Sequence, residues 1–267
     1  MPRGPRTPPA VLSIAGSDSG GGAGIQADLK AFASCGVHGM TAVTAITVQN
    51  TVGVTGVYPL PPRAIVEQVA AVVEDIGVDA VKVGMLGTVE TIDAVAEALG
   101  LTGPAPVVLD PVMVAESGSR LLDADAVDAL IERIVPRAAV VTPNLPEARV
   151  LAGAGEDAEP EELARAIHAL GPAAVVVTGG HRTEAVDVFF DGERLEELAG
   201  ERHPGGAAHG SGCTHSSALA AQLALGRDPL EAARIAKRVA SEAVRHGLAG
   251  IGRGAGPVDV FGLAPDA

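Results

Sequence analysis

Tryptophan is absent from this chain, and lysine is nearly so, with only Lys30, Lys82 and Lys237. Acidic residues outnumber basic ones by 33 to 19, for a formal net charge of −14 and a pI near 4.8. That balance lacks the basic footprint nucleic-acid binding needs. It leaves an anionic substrate open, because magnesium and a helix terminus can supply local positive potential. The two cysteines, Cys35 and Cys213, have neither zinc-ligand spacing nor a disulfide framework, so a reducing, cytoplasmic setting is expected. No uninterrupted apolar run approaches the ~18 residues a membrane span needs. Residues 1–9 are proline-rich, carry Arg3 and Arg6, and lack an apolar stretch. They predict a disordered tail, not a signal peptide, with residues 10–267 as a single domain.

What the chain has is glycine (34 residues) and short apolar runs that alternate with helical patterns. The apolar runs predict strands over 11–15, 41–48, 80–83, 107–109, 138–142, 173–178 and 186–190. Helices are predicted over 25–34, 63–76, 89–99, 124–134, 146–151, 161–170, 213–225 and 230–246. Asp228-Pro229 separates the last two, with proline at a tolerated first-turn position. Such alternation predicts an α/β fold with a doubly wound, mostly parallel sheet, whose functional residues gather at the carboxyl ends of strands.

The segment over 15–30 links the first strand to the first helix through Gly16, Gly20, Gly21, Gly22 and Gly24. Strand, glycine loop, helix is the geometry of a phosphate cradle. No Gly-x-x-x-x-Gly-Lys-Ser/Thr occurs anywhere in the chain. The dinucleotide pattern matches in form at Gly22-Ala23-Gly24, but no Asp or Glu lies between Asp28 and Glu67 to hold ribose hydroxyls. Asp18 and Asp28 flank the loop and would repel a polyphosphate, so a neutral, hydrogen-bonding ligand fits it better. A plain connection with helix-capping acids is an equal reading of this segment taken alone.

A second glycine turn, His209-Gly210-Ser211-Gly212-Cys213-Thr214, opens another predicted helix, with no acid between Glu201 and Asp228. Its backbone N–H groups suit a phosphate, and a cysteine at such a helix start is expected to have a depressed pKa. A small-residue helix start with a buried cysteine is the bland alternative. Asn144 and Glu147 follow a strand three residues apart, and Asp110 ends the strand before it. Hard oxygen ligands of this kind suit magnesium, although Asn-x-x-Glu also reads as a capping box.

Together these segments resemble, in order, the hydroxymethylpyrimidine/phosphomethylpyrimidine kinases of thiamine biosynthesis, in the ribokinase superfamily. The resemblance is carried by residues 15–30, Val48-Gln49-Asn50-Thr51, Val83-Gly84-Met85-Leu86 and Asp110-Pro111-Val112-Met113. It continues through Thr142-Pro143-Asn144-Leu145-Pro146-Glu147, Gly179-Gly180-His181, residues 209–214 and Gly256-Pro257-Val258-Asp259. It implies a ribokinase-like three-layer α/β/α sandwich that uses ATP and Mg2+ to phosphorylate a pyrimidine alcohol and then its monophosphate. It further implies a pyrimidine pocket of Gly16, Asp28, Gln49, Met85 and Val112, and an anion hole of Gly210, Ser211 and Gly212. Cys213 would stand where sugar kinases of the superfamily carry an aspartate base. Asp110, Asn144, Glu147 and Thr178 would serve the nucleotide, with Asp110 and Glu147 at the metal, and the enzyme would be a homodimer. Thr178, Glu116 and Ala207-Ala208 depart from the pattern, the first two where relatives often carry lysine, and predict fewer cations near the phosphates. Pyridoxal kinase and a catalytically weak pyrimidine-binding protein are the competing readings.

Overall fold

The computed structural model describes residues 7–115, 118–179 and 185–263, so the expectations on Glu116, Gly180, His181 and residues 1–6 lie outside the described residues. The strands are Ala10–Asp18 (β1), His38–Gln49 (β2), Val54–Pro59 (β3), Ala80–Val83 (β4), Val107–Leu109 (β5), Val140–Val141 (β6), Val175–Val177 (β7), Asp187–Phe190 (β8) and Leu195–Leu198 (β9). The helices are Gly24–Ser34 (α1), Pro62–Asp75 (α2), Val89–Leu99 (α3), Ala126–Arg133 (α4), Leu145–Ala152 (α5), Pro160–His168 (α6), Ser211–Ala224 (α7) and Pro229–Arg245 (α8).

These strands form one sheet in the order β3-β2-β1-β4-β5-β6-β7-β8-β9. Pairing is parallel from β2 through β7 and antiparallel at β2–β3, β7–β8 and β8–β9. Successive strand residues face opposite sides of a sheet, and here both sides are covered. Leu12, Val81, Leu109, Val141 and Val175 pack with Ile65, Ile92, Leu130, Leu151 and Ile167 from α2–α6. Their neighbours Val11, Ala80, Val108, Val140 and Val176 pack with Phe32, Leu219 and Ala236 from α1, α7 and α8. The result is the expected three-layer α/β/α sandwich. No helix among the described residues is long and apolar enough to cross a membrane.

After β1 the chain adds β2 and β3 on one side, then crosses to place β4 on the other. That reversal opens a crevice at the carboxyl ends of β1 and β4, where open α/β sheets bind ligands. Two strands were not predicted, β3 and β9. Gly56 and Pro59 break the alternation in β3, and β9 reads Leu-Glu-Glu-Leu with only Leu198 buried. Both are sheet-edge strands, whose pairing depends on a partner strand more than on their own pattern.

Candidate active site

A cavity of about 470 Å3 opens at the carboxyl ends of β1, β4 and β5 and is closed by the start of α7. Gly16, Gln49, Met85, Val112, Asp110, Asn144, Glu147, Thr178, Gly210, Ser211, Gly212 and Cys213 all line it. Loop geometry explains how they converge. A bulge between Ala15 and Ser17 extends β1 to Asp18, so the first glycine loop is only a tight turn before α1. Gly16 lets the Met85 side chain lie against the backbone: a Cβ would fall 2.6 Å from Met85 Cε and push that flexible end aside. Thr47 Oγ1 lies 3.0 Å from Gln49 Oε1 and orients the carboxamide.

Asp18 answers the question posed by the first loop. Its Oδ1 accepts from Gly20 N at 2.8 Å, and its Oδ2 accepts from Gly22 N and Ala23 N at 3.0 and 2.9 Å. The N–H groups a phosphate would use are occupied by the protein's own carboxylate. Burial pushes that carboxyl up, but the His209 ring and the N–H groups of Gly20 and Ala23 outweigh it and hold Asp18 below the usual carboxylate range. The second turn is the opposite case. Gly210 precedes α7 with φ 85°, no side chain caps the helix, and its first turn carries no acid. Helix α7 starts at Ser211, two residues earlier than predicted, so Ser211, Gly212 and Cys213 are its first turn, the place for an anion.

Asp28 corrects an expectation. It does not line the cavity; it is fully buried behind it. Ser13 Oγ donates to its Oδ2 at 2.5 Å, Ser217 Oγ to its Oδ1 at 2.8 Å, and Lys82 Nζ to both oxygens at 3.0 and 3.2 Å. With its acceptors filled it has nothing to offer a ring. Lys82, which sequence reasoning left without a role, takes its place at the cavity floor. Its ammonium is wholly buried and also sits 3.8 Å from Asp110 Oδ2. Burial alone would lower its pKa; the carboxylates of Asp28 and Asp110 reverse that and hold it charged. One signal was available, a lysine inside the apolar strand Ala-Val-Lys-Val.

Cys213 is the second correction. Burial pushes its thiol up to about 12, and Asp110 and Asp28 add to the rise against Lys82 and the Gly24 backbone. Position at a helix start does not prevail, because burial outweighs it and outweighs the pull of Lys82. One further cation was not expected at the site. Lys237, from α8, lines the same cavity with its Nζ 2.6 Å from Asp187 Oδ1. On a helix with an ordinary amphipathic pattern nothing marked it.

Asn144 and Glu147 form the capping box and also line the cavity. Asn144 Oδ1 accepts from Glu147 N at 2.9 Å and Glu147 Oε2 from Asn144 N at 3.0 Å, a complete capping box on α5 that still faces the cavity. Burial and the neighbouring Asp110 push the Glu147 carboxyl up to about 8. Burial likewise raises Asp110, against the pull of Lys82 and the hydroxyl of Ser216, which donates to its Oδ2 at 3.0 Å. Two carboxylates that oppose each other's ionisation fit a divalent cation. No cluster of three or more His, Cys, Asp or Glu among the described residues would hold one unaided. Magnesium commonly takes one or two carboxylates with phosphate oxygens and water, so the pair suffices.

A prediction follows for the metal-free protein. Glu147 binds its proton more tightly folded (about 8) than at its ordinary 4.5, so its contribution is full below pH 4.5 and lost as pH rises through 8. Urea midpoints are expected to fall across that window, and Glu147→Gln, which keeps the capping box, is expected to flatten the fall. An unchanged slope in the variant would show that Glu147 is ionised throughout.

Comparison with known proteins identifies the family. Residues 18–259 match the family model described as phosphomethylpyrimidine kinase. The chain is 50% identical over 257 residues to the hydroxymethylpyrimidine/phosphomethylpyrimidine kinase of Rhizobium meliloti (strain 1021), covering 94% of this chain and 96% of that protein. It is 47% identical over 262 residues to the thiamine biosynthesis bifunctional protein ThiED of Geobacter sulfurreducens, covering 96% of this chain and 53% of that longer protein. Among solved structures, the ADP complex of Bacillus subtilis pyridoxal kinase superposes with a TM-score of 0.88 at 40% identity, covering 96% of this chain and 99% of that one.

Proposed function

The chain belongs to the phosphomethylpyrimidine kinase family, and from that membership we propose that a single cavity phosphorylates a pyrimidine alcohol and then its monophosphate. The activity is ATP-dependent phosphoryl transfer in thiamine biosynthesis, on 4-amino-5-hydroxymethyl-2-methylpyrimidine and its phosphate. One observation carries the assignment of the two ends: two glycine turns face one cavity, the first with its N–H groups filled by Asp18, the second uncapped. The acceptor ring lies at the first, against Gly16, Gln49, Met85 and Val112, and the transferring phosphoryl group lies at Gly210, Ser211 and Gly212.

In this reading the protein positions and neutralises; little covalent chemistry is asked of it. Asp110 and Glu147 would hold Mg2+, which would supply positive charge against the phosphate oxygens. Asn144 and Thr178 face the nucleotide, and Lys237 supplies the cation that Thr178 does not. Lys82 keeps the floor of the site from accumulating the charge of Asp28 and Asp110. Cys213 rests as a thiol and orients the hydroxymethyl oxygen; in a loose transition state the hydroxyl proton passes late to an oxygen of the phosphoryl group being transferred.

Only the first step has an alcohol proton to place. Cys213→Ala is therefore expected to slow the first phosphorylation about tenfold and the second little, while Cys213→Ser keeps most of both. Separate kcat measurements on the alcohol and the monophosphate check this; equal loss in both steps would assign Cys213 to the anion hole or to packing.

Residues 10–267 form one kinase domain in this proposal, and the enzyme is a cytoplasmic homodimer. Free Cys35 and Cys213 support the compartment, and exposed Ile46, Val48, Val57 and Tyr58 on β2 and β3 support a second copy of the chain. Likeness to the Bacillus subtilis pyridoxal kinase supports a second reading, pyridoxal as acceptor. ADP release with Mg-ATP and each alcohol separately tests the choice. The pyrimidine alcohol is expected to give the higher kcat/KM, and a preference for pyridoxal would reverse the assignment.

A further inference from the structure

The two glycine turns touch each other, and the contact has no slack. Gly210 sits against the first loop so closely that a Cβ would fall 1.8 Å from Gly22 O. A Cβ on Gly22 would fall 2.2 Å from His209 Cδ2. Across this seam the His209 ring donates from Nε2 to Asp18 Oδ2 at 3.2 Å, joining residues 191 apart in sequence. Both side chains are buried, with 3% of Asp18 and 8% of His209 exposed.

Each partner is fixed from its own side. Asp18 already organises the first loop through Gly20, Gly22 and Ala23. His209 is held by its backbone, donating from N to Gly256 O at 3.2 Å and accepting at O from Val258 N at 3.0 Å. The ring is thus a strut between two anchored segments. One carries Gly16, at the acceptor end of the cavity; the other leads directly into Gly210, Ser211 and Gly212.

We propose that the Asp18–His209 pair is a positioning clamp that locks the acceptor loop to the phosphate-binding turn and so sets the distance the phosphoryl group crosses. This rests on the assignment of the two ends made above. Both residues line the cavity, but their polar atoms are turned to each other and to the first loop, and that assignment gives neither of them to the ring or the phosphate, so they are positioning residues. The physical lever is large, because a misplacement of about 1 Å between reacting groups costs about 100-fold in rate. Loss of register also admits water to the phosphoryl group, giving ADP and inorganic phosphate in place of phosphorylated alcohol.

The test uses full-length His209→Leu, His209→Gln, Asp18→Asn and the Asp18→Asn/His209→Leu double variant. For each, kcat, both KM values and the ratio of ADP released to product formed are measured, with ADP binding and thermal melting to verify the fold. His209→Leu is expected to lose about 100-fold in kcat with KM values within about 3-fold, and its ADP-to-product ratio is expected to exceed one. His209→Gln, whose amide N–H reaches about as far as Nε2, is expected to recover to within about 5-fold of wild type. The double variant is expected to be no worse than the worse single one, since both break the same link. If His209→Leu does not fold, Asp18→Asn and His209→Gln carry the same comparison. A folded His209→Leu with near-normal kcat, a rise in KM alone, equal impairment of Leu and Gln, or multiplied losses in the double variant would each overturn the clamp. A wild type inactive on the pyrimidine alcohol would instead overturn the assignment beneath it.

Discussion

Gly210→Ala is expected to abolish most turnover, lowering kcat by about 100- to 1000-fold, the range seen when an oxyanion-hole donor is lost. Two penalties act together. The residue has φ 85°, which a side chain rarely tolerates, and its Cβ would lie 1.8 Å from Gly22 O and 3.0 Å from Gly22 C. Neither atom is the end of a flexible side chain. Relief requires the first loop to retreat or the start of α7 to turn, and either movement separates the acceptor from the anion hole. Gly155→Ala, which meets nothing within 4 Å on a surface loop, is the matched control and is expected to behave as wild type. Steady-state kinetics on both variants decide it; a Gly210→Ala enzyme within tenfold of wild type would show that this turn does not hold the phosphoryl group.

Lys82→Met is expected to be the most destabilising single change, by about 3–5 kcal/mol, the usual cost of stripping one partner from a buried ion pair. The methionine fills much the same volume, so the loss is electrostatic. It leaves the Asp28 carboxylate with only the hydroxyls of Ser13 and Ser217, and Asp110 with the hydroxyl of Ser216. Adding Asp28→Asn should restore part of the stability, because one uncompensated charge is removed with its partner already gone. Urea denaturation of the single and double variants measures this. A Lys82→Met protein within about 1 kcal/mol of wild type would show that the buried lysine is not the counter-charge of the site.

Much of this molecule is legible along the chain. The parallel strands β1, β4, β5 and β7 are buried on both faces, and such strands appear as short continuous apolar runs regardless of what pairs with them. The first glycine turn, Asp110, Asn144 and Glu147 converge on the cavity because they sit where strands end, and the second glycine turn joins them as the start of α7. What was missed depends on pairs distant in sequence. Asp28 looked like a ligand because its partner Lys82 is 54 residues away; only the fold shows that the two neutralise each other behind the cavity. Asp18 was read only as an acid flanking the first loop and His209 only as part of the second glycine turn; their pairing across 191 residues is visible only in the fold. Cys213 was given a lowered pKa from its helix start alone, whereas burial and two carboxylates govern it. Lys237 and Asp187 come from α8 and β8, two elements with no local mark of function.

The central claim is that one cavity holds the same ring through both phosphorylations, with the acceptor at the first glycine turn and the phosphoryl group at the second. Rapid-quench product analysis with the pyrimidine alcohol and excess Mg-ATP tests it most directly. The expected result is monophosphate rising and then falling as diphosphate forms, with added monophosphate competing with the alcohol. Arrest at the monophosphate, or a monophosphate that fails to compete, would contradict the account.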